Sequence, residues 1–271
     1  YLRAADALQR PEYRTVASDT LQFMQRELLT EEGAMVGSLS ALDDRNIEGG
    51  YYLWLRDELE KILNPEELNI VETAWLGKSA ASFDAGYLPV WQQGSTIHNN
   101  LSENERSLLE TARSKMLKQR QQARRLPVDD KLLAGWNGLA LSTFSLAAKA
   151  FDSTEFKKTA DSIASYITGS LMKDGFLIRA YKSGKPLGQA SLADYAYIAE
   201  GFWDYYQLTG NSNHLAMSRS MLNTAWERFY SSAGWIMGDM AGIQSGGRYG
   251  IIADGPQSSP SAVVLDISYT V

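Results

Sequence analysis

The chain has 271 residues, 44% of them hydrophobic and 21% charged, with a formal net charge of −6. That is ordinary globular composition, sufficient for one large domain or two small ones. The acidic balance argues against nucleic acid as the main partner, the lack of cysteine excludes disulfides and thiol chemistry, and no run approaches the roughly 20 apolar residues of a membrane span.

The chain opens at Tyr1 in what reads as helix, with no initiator Met and no charged-then-apolar leader. The expectation is one domain over residues 1–271, a fragment of a longer protein. Cysteine-free composition suits a reducing, cytoplasmic compartment. Ala4 to Leu8 and Glu12 to Leu29 form a helix, turn and helix that end at Gly33.

The next stretch is less regular. Ala34-Met35-Val36 and Gly50 to Trp54 read as a short β-pair bracketing the acidic loop from Asp43 to Glu48. Arg56 to Leu63 and Pro65 to Trp75 read as two short helices, the second with proline in its first turn. Residues 77–100 read as loop, and Glu103 to Arg124 as a long helix. The basic cluster from Lys115 to Arg125 is interleaved with Gln119, Gln121 and Gln122, which marks a solvated face.

Asp129-Asp130-Lys131 then opens into an apolar helix rich in small residues, running to Phe151. Asp129 suits its N-cap, where a carboxylate meets the first free N–H groups and opposes the helix dipole. The helix is apolar or small nearly all round, as a buried helix should be. The helix that follows, around Phe156, Ala160, Ile163 and Leu171, keeps one wet face with Lys157, Lys158 and Asp161. The pattern then repeats. An apolar helix over 192–208 is followed by a half-wet one over 212–230, and each pair ends on a glycine and an aromatic residue, Gly175-Phe176 and Gly234-Trp235. Ser191 to Asp194 is a capping box, and Ser259-Pro260 begins a third apolar helix. Pairs of inner and outer helices can close into a toroid whose inner helix N-termini share one end.

The order Glu48-Gly49-Gly50-Tyr51-Tyr52-Leu53-Trp54, Asp129-Asp130-Lys131 to Trp136-Asn137-Gly138-Leu139, Ser191-Leu192-Ala193-Asp194-Tyr195-Ala196 and Asp254-Gly255 to Ser259 resembles the YyaL-like, spermatogenesis-associated thioredoxin-like family. The resemblance implies an all-α fold, an (α/α)6 toroid of the six-hairpin-glycosidase type, incomplete in this chain, with short β-hairpins between helix pairs. It also implies a thioredoxin-like domain ahead of the toroid in full-length members. The last block departs from the family pattern: Ser261 stands in place of an asparagine and Pro260 in place of a glycine.

On such a toroid Asp130, Asp194 and Asp254, with Glu48, gather at one mouth as candidate catalytic carboxylates. Inverting glycoside hydrolysis needs two carboxyl groups about 6.5–9.5 Å apart, one protonated and one ionised. Trp54, Trp136, Tyr195 and Trp203 offer flat faces for sugar rings, Asn137 a bidentate hydrogen-bonding group, Lys131 a charge beside Asp130, and Ser259 a further polar contact. Against this stands a structural reading, in which Asp129 and Asp194 are caps and Trp136 and Trp203 are core. A two-histidine sugar epimerase is disfavoured, since the chain has only His98 and His214, the latter at an outer-helix start where a structural role fits better. No metal-ligand spacing is present and no cofactor is expected. Two readings remain: a glycosidase-like or isomerase-like toroid acting on a sugar or glycan, and a non-catalytic interaction module beside a thioredoxin-like domain.

Overall fold

The two-helix repeat is the organising unit of the structure, a computed structural model that describes residues 1–77, 81, 83–91, 100–238 and 253–271. In chain order the helices are α1 (Leu2–Ala7), α2 (Glu12–Glu27), α3 (Arg56–Ile62), α4 (Pro65–Val71), α5 (Glu103–Ala123), α6 (Ala134–Phe151), α7 (Thr154–Tyr166), α8 (Leu192–Thr209), α9 (Ser212–Phe229) and α10 (Pro260–Thr270). Short strands join them: β1 (Ser38–Leu39), β2 (Val128–Asp129), β3 (Leu132–Leu133), β4 (Met172–Lys173), β5 (Phe176–Lys182), β6 (Lys185–Gln189), β7 (Tyr230–Ser231) and β8 (Gly234–Trp235). The residues fall into two compact units, Tyr1–Ser38 with Asp129–Val271, and Leu39–Val128.

In the first unit α6 and α8 lie side by side and run parallel. Gly135 meets Asp194, Gly138 meets Tyr197 and Ile198, and Gly201 meets Gly138 and Leu141, so residue numbers rise together along both helices. Without side chains at these points the two backbones come into direct contact. α10 packs on the same α8, while α7 and α9 pack outside α6 and α8. Trp226 of α9 bonds Ser268 and Arg219 bonds the carbonyl of Val271, so α9 runs antiparallel to α10. A parallel inner layer inside an antiparallel outer one is the architecture of an (α/α)6 toroid. Among the described residues α1–α2, α6–α7 and α8–α9 are its hairpins and α10 a further inner helix.

Burial follows the layers. Leu141, Phe144, Ile163, Ile198, Phe202, Met221 and Phe229 interleave in one core, as expected where each outer helix turns one apolar stripe inward. Both inner helices end in a left-handed residue, Asp152 after α6 and Gly210 after α8. β3, β5 and β4 form a small antiparallel sheet with β6 against β5, and β7 pairs β8, so short hairpins follow both helix pairs, as the family resemblance implies.

The second unit has its own core, in which Trp54, Leu59, Ile70, Val71, Leu109, Ala112 and Met116 draw α3, α4 and α5 together. Asn64 and Ser102 close capping boxes at α4 and α5.

Three expectations are corrected. α6 begins at Ala134 rather than after Asp129, because Leu132 and Leu133 pair with Tyr181 and Ala180 of β5 and the chain is still extended there. Ala34–Val36 and Gly50–Trp54 do not pair with each other: Met35 bridges Leu29 and Trp54 bridges Tyr87. The basic cluster is not wholly solvated, since Arg124 is buried and Lys115 pairs with the buried Glu67 at 2.7 Å.

Gly138→Ala would set a Cβ 2.5 Å from the Tyr197 carbonyl. It is expected to cost about 1–3 kcal/mol by overpacking, read from urea unfolding followed by circular dichroism. Gly169→Ala, where a Cβ meets nothing within 4 Å, should leave the midpoint nearly unchanged.

Candidate functional site

At the starts of the inner helices each carboxylate has a defined hydrogen-bonding role. Asp194 closes the capping box of α8, accepting from the Ser191 amide and hydroxyl at 2.8 Å each, while its other oxygen takes the Gly135 N–H of α6 at 3.0 Å. Asp254 accepts the Ser259 N–H at 2.8 Å and holds the entry to α10. Ser259 is the buried N-cap of α10, its hydroxyl 3.0 Å from that of Ser261, so the serine in place of the family's asparagine joins the cap. Asp130 is exposed and meets Ser183 at 3.3 Å and Lys182 at 3.6 Å on the β5–β6 hairpin. Lys131 pairs with Asp129 at 2.6 Å rather than with Asp130.

Asn137 is fully buried, and all of its hydrogen bonds reach backbone. Its oxygen takes the Met35 N–H at 2.7 Å, and its amide donates to Met35 and Leu133 carbonyls at 3.1 and 2.9 Å. Tyr195 is buried against Phe229, its hydroxyl accepting from the Leu177 N–H and from Arg228 at 3.3 Å each. Trp136, by contrast, is open, 44% exposed on α6. In the second unit Glu48 is exposed, while Asp43 is the buried carboxylate of the acidic loop, accepting from Arg45 and Ile47. Trp54 is buried beneath the Arg124 guanidinium, 4.4 Å from the ring centre.

A second carboxyl pair, absent from the sequence reading, lies further along α8. Glu200 and Asp204 are one turn apart. Each stands two residues from Phe202, which faces His214 of α9, and so about 160° round the helix from it. That places both on the inner side of α8, away from the outer layer. Asp204 is buried and accepts the Ser142 hydroxyl of α6 at 2.5 Å.

Burial raises the pKa of both carboxyls. For Glu200 the charge of Asp204 raises it further, with a smaller push from Asp266 of α10, against the opposing charge of Arg3. For Asp204 the Ser142 hydrogen bond and Arg3 act against burial without cancelling it. Tyr197 lies on the same stripe. Its hydroxyl donates to the Ser258 carbonyl at 2.7 Å, and burial first, then the charges of Glu200, Asp194 and Asp254, push its pKa up. Tyr197 therefore sits within electrostatic reach of Glu200 and of the capping carboxylates. The legible signal was two carboxyls at i and i+4 in a helix that otherwise lacks a polar face.

His214 takes the structural place expected of it, stacked on Tyr205 at 4.2 Å and bonded to Thr209 at 2.8 Å. His98 lies outside the described residues. Among the described residues no His, Asp and Glu group has the arrangement of a metal site, and no helix is long and apolar enough to cross a membrane.

Layering, hairpins and the inner carboxyls define an all-α protein of the (α/α) toroid class. In sequence it is similar to spermatogenesis-associated protein 20 of Homo sapiens, 24% identical over 82% of this chain and 33% of the human protein, and to its Rattus norvegicus counterpart at the same identity and coverage. It is also 21% identical to an uncharacterised Caenorhabditis elegans protein, over 83% of this chain and 35% of that one. The resemblance to the spermatogenesis-associated family is thus borne out, and the chain spans about a third of the length of the curated relatives it matches. No family model matches. Among solved structures, a GH76 α-mannanase of Bacteroides thetaiotaomicron matches with a TM-score of 0.40 and 13% identity, over 95% of this chain and 77% of the other. An unsaturated glucuronyl hydrolase with the sugar dGlcA-Glc-Rha-Glc matches with a TM-score of 0.37 and 12% identity, over 86% and 62%.

A carboxyl with a pKa raised above its unfolded value, near 4, stabilises the fold only while both states keep the proton. That stability is lost as pH rises through the folded-state pKa. Asp204→Asn removes the loss. Its urea midpoint is expected to fall less than the wild-type midpoint between pH 4 and 8, and parallel curves would show that Asp204 is not held protonated.

Proposed function

We propose that the first unit binds a carbohydrate along the inner side of α6, α8 and α10 and acts on it by carboxyl chemistry. The observation that carries this reading is the Glu200–Asp204 pair, one turn apart on an inner helix, both made reluctant to ionise by burial and Glu200 further by the charge of Asp204. A carboxyl kept protonated near neutral pH is what a general acid requires. Glu200, the more open of the two, is the proton donor to a leaving oxygen. Asp204, tied to Ser142, opposes the ionisation of Glu200 beside it. Asp254, exposed and within electrostatic reach of Tyr197, supplies the carboxylate that activates water. Trp136 gives an open indole face on which a sugar ring can pack.

The other carboxylates singled out in the sequence take lesser parts. Asp194 has both oxygens engaged by two helix starts, and Asp130 is engaged by the β5–β6 hairpin. Both therefore support the site rather than react. Their engagement also favours the second reading, a non-catalytic binding module, because it leaves fewer carboxylates free for chemistry. Glu48 and Trp54 belong to the second unit and are assigned no step.

A screen of the 271-residue chain against a glycan library, scored for both binding and reducing-end release, separates the readings. The catalytic reading expects Glu200→Gln to lower turnover by about 10²–10⁴-fold, the range for loss of a general acid, with binding retained. Trp136→Ala should weaken binding, and Asp130→Asn should change neither readout. Binding without release in the wild type would leave the module; unchanged turnover in Glu200→Gln and Asp254→Asn would sink the catalytic assignment.

A further inference from the structure

The second unit carries two arginines one turn apart, Arg120 in the last turn of α5 and Arg124 at its C-cap, with opposite fates. The guanidinium of Arg124 is saturated: it donates to the Gly50 and Tyr51 carbonyls at 3.3 and 3.1 Å, to the Leu53 carbonyl, and to Glu58 at 2.9 Å, and it covers the Trp54 ring. Its work is to pin the segment from Gly50 to Trp54. Arg120 rests on side chains of the same segment. Its guanidinium carbon is 5.0 Å from the Tyr51 ring centre and 5.1 Å from that of Tyr52. The two rings stand 5.0 Å apart at 86°, making a corner.

Arg120 is held by aromatic faces. Its Nε is closed to water and has no hydrogen-bond partner among the described residues. The helix also places Lys115, Lys118 and Arg124 nearby along the chain, and two of these are spoken for, Lys115 by Glu67 and Arg124 by Glu58. A cation stacked between two rings has already lost its side-chain freedom, and its planar fork matches a two-oxygen anion. A buried donor without an acceptor is unfavourable until one arrives.

We propose that Arg120, cornered by Tyr51 and Tyr52, is the anchor of a binding site for a small oxyanion, the carboxylate or phosphate of a polar small molecule. The guanidinium takes two oxygens side on, and the tyrosine rings cover the body of the ligand. This site lies wholly within the second unit and does not depend on the carbohydrate reading of the first.

The test follows the Arg120 Nε–H signal in proton–nitrogen spectra of the full chain, titrated with inorganic phosphate, with glucuronic acid and with neutral glucose. A saturable shift with one or both acids and none with glucose is expected, and the stronger acid names the source of the oxyanion. Arg120→Lys keeps the charge and removes the fork, so the better acid should bind it at least tenfold more weakly. Lys118→Gln, which removes an exposed charge from the same helix, should bind within twofold of wild type. No saturation with either acid overturns the proposal, as does equal binding by Arg120→Lys or an equal loss in Lys118→Gln. If Arg120→Lys does not fold, the wild-type titration with its glucose control decides.

Discussion

Backbone contact between α6 and α8 is the constraint on which the first unit rests. Glycines at 135, 138 and 201 bring two parallel helices closer than any larger residue would permit, and that closeness fixes their register. With Gly138 against Gly201, Ser142 comes level with Asp204 and Gly135 with Asp194, so both polar contacts between the helices follow from the glycines. Closeness also has an electrostatic consequence. Parallel neighbours place their positive N-terminal ends together, which is unfavourable unless a negative group lies between them. Asp194, bonded to the first turns of both helices, is that group. Acidic residues recurring at the inner-helix starts thus have a structural cause before any catalytic one.

This bears on what the sequence could reveal. Helix periodicity, the alternation of buried and half-wet helices, and the caps at Ser191 and Ser259 were all legible, because each is set by residues within a turn or two. The start of α6 was not. Asp129 has the chemistry of a cap, but Leu132 and Leu133 are claimed by β5, some fifty residues further on, and a distant pairing outweighs a local preference. Glu200 and Asp204 were missed for a related reason. Carboxyls at i and i+4 ordinarily mark a wet face, and only the packing of α6 and α10 against α8 shows that this face is inward.

Irregular segments follow another rule. Where no ladder or helix satisfies the backbone, one polar side chain does so from far away in sequence. Asn137 binds both backbone groups of Met35, and Arg124 gathers three carbonyls between Gly50 and Leu53, over separations of 102 and about 70 residues. In one sequence such a residue looks like a ligand-binding group, because a side chain made for bidentate hydrogen bonding serves a backbone as well as a sugar. Asn137 was singled out on those grounds, and its partners prove to be main chain.

The same accounting separates polar groups that hold the fold from those left over for chemistry. Between α7, α8 and α9, Lys157, Asp161, Tyr205, His214 and Thr209 form a chain of contacts in which the Tyr205 hydroxyl donates to Asp161 at 2.7 Å and Lys157 offsets the aspartate charge at 2.9 Å. Burial and the adjacent carboxylate push the tyrosine pKa up, and burial holds the histidine pKa down. Both rings stay neutral, and the network closes on itself. On the opposite side of α8, Asp204 has the Ser142 hydroxyl and the distant charge of Arg3 against its burial, and beside it stands Glu200, another acid. Stability alone would favour an amide or an apolar residue there, since two carboxyls one turn apart oppose each other's ionisation. Carboxyls that the fold does not require, on the side of the inner layer away from the outer helices, are the groups on which the proposed carboxyl chemistry rests.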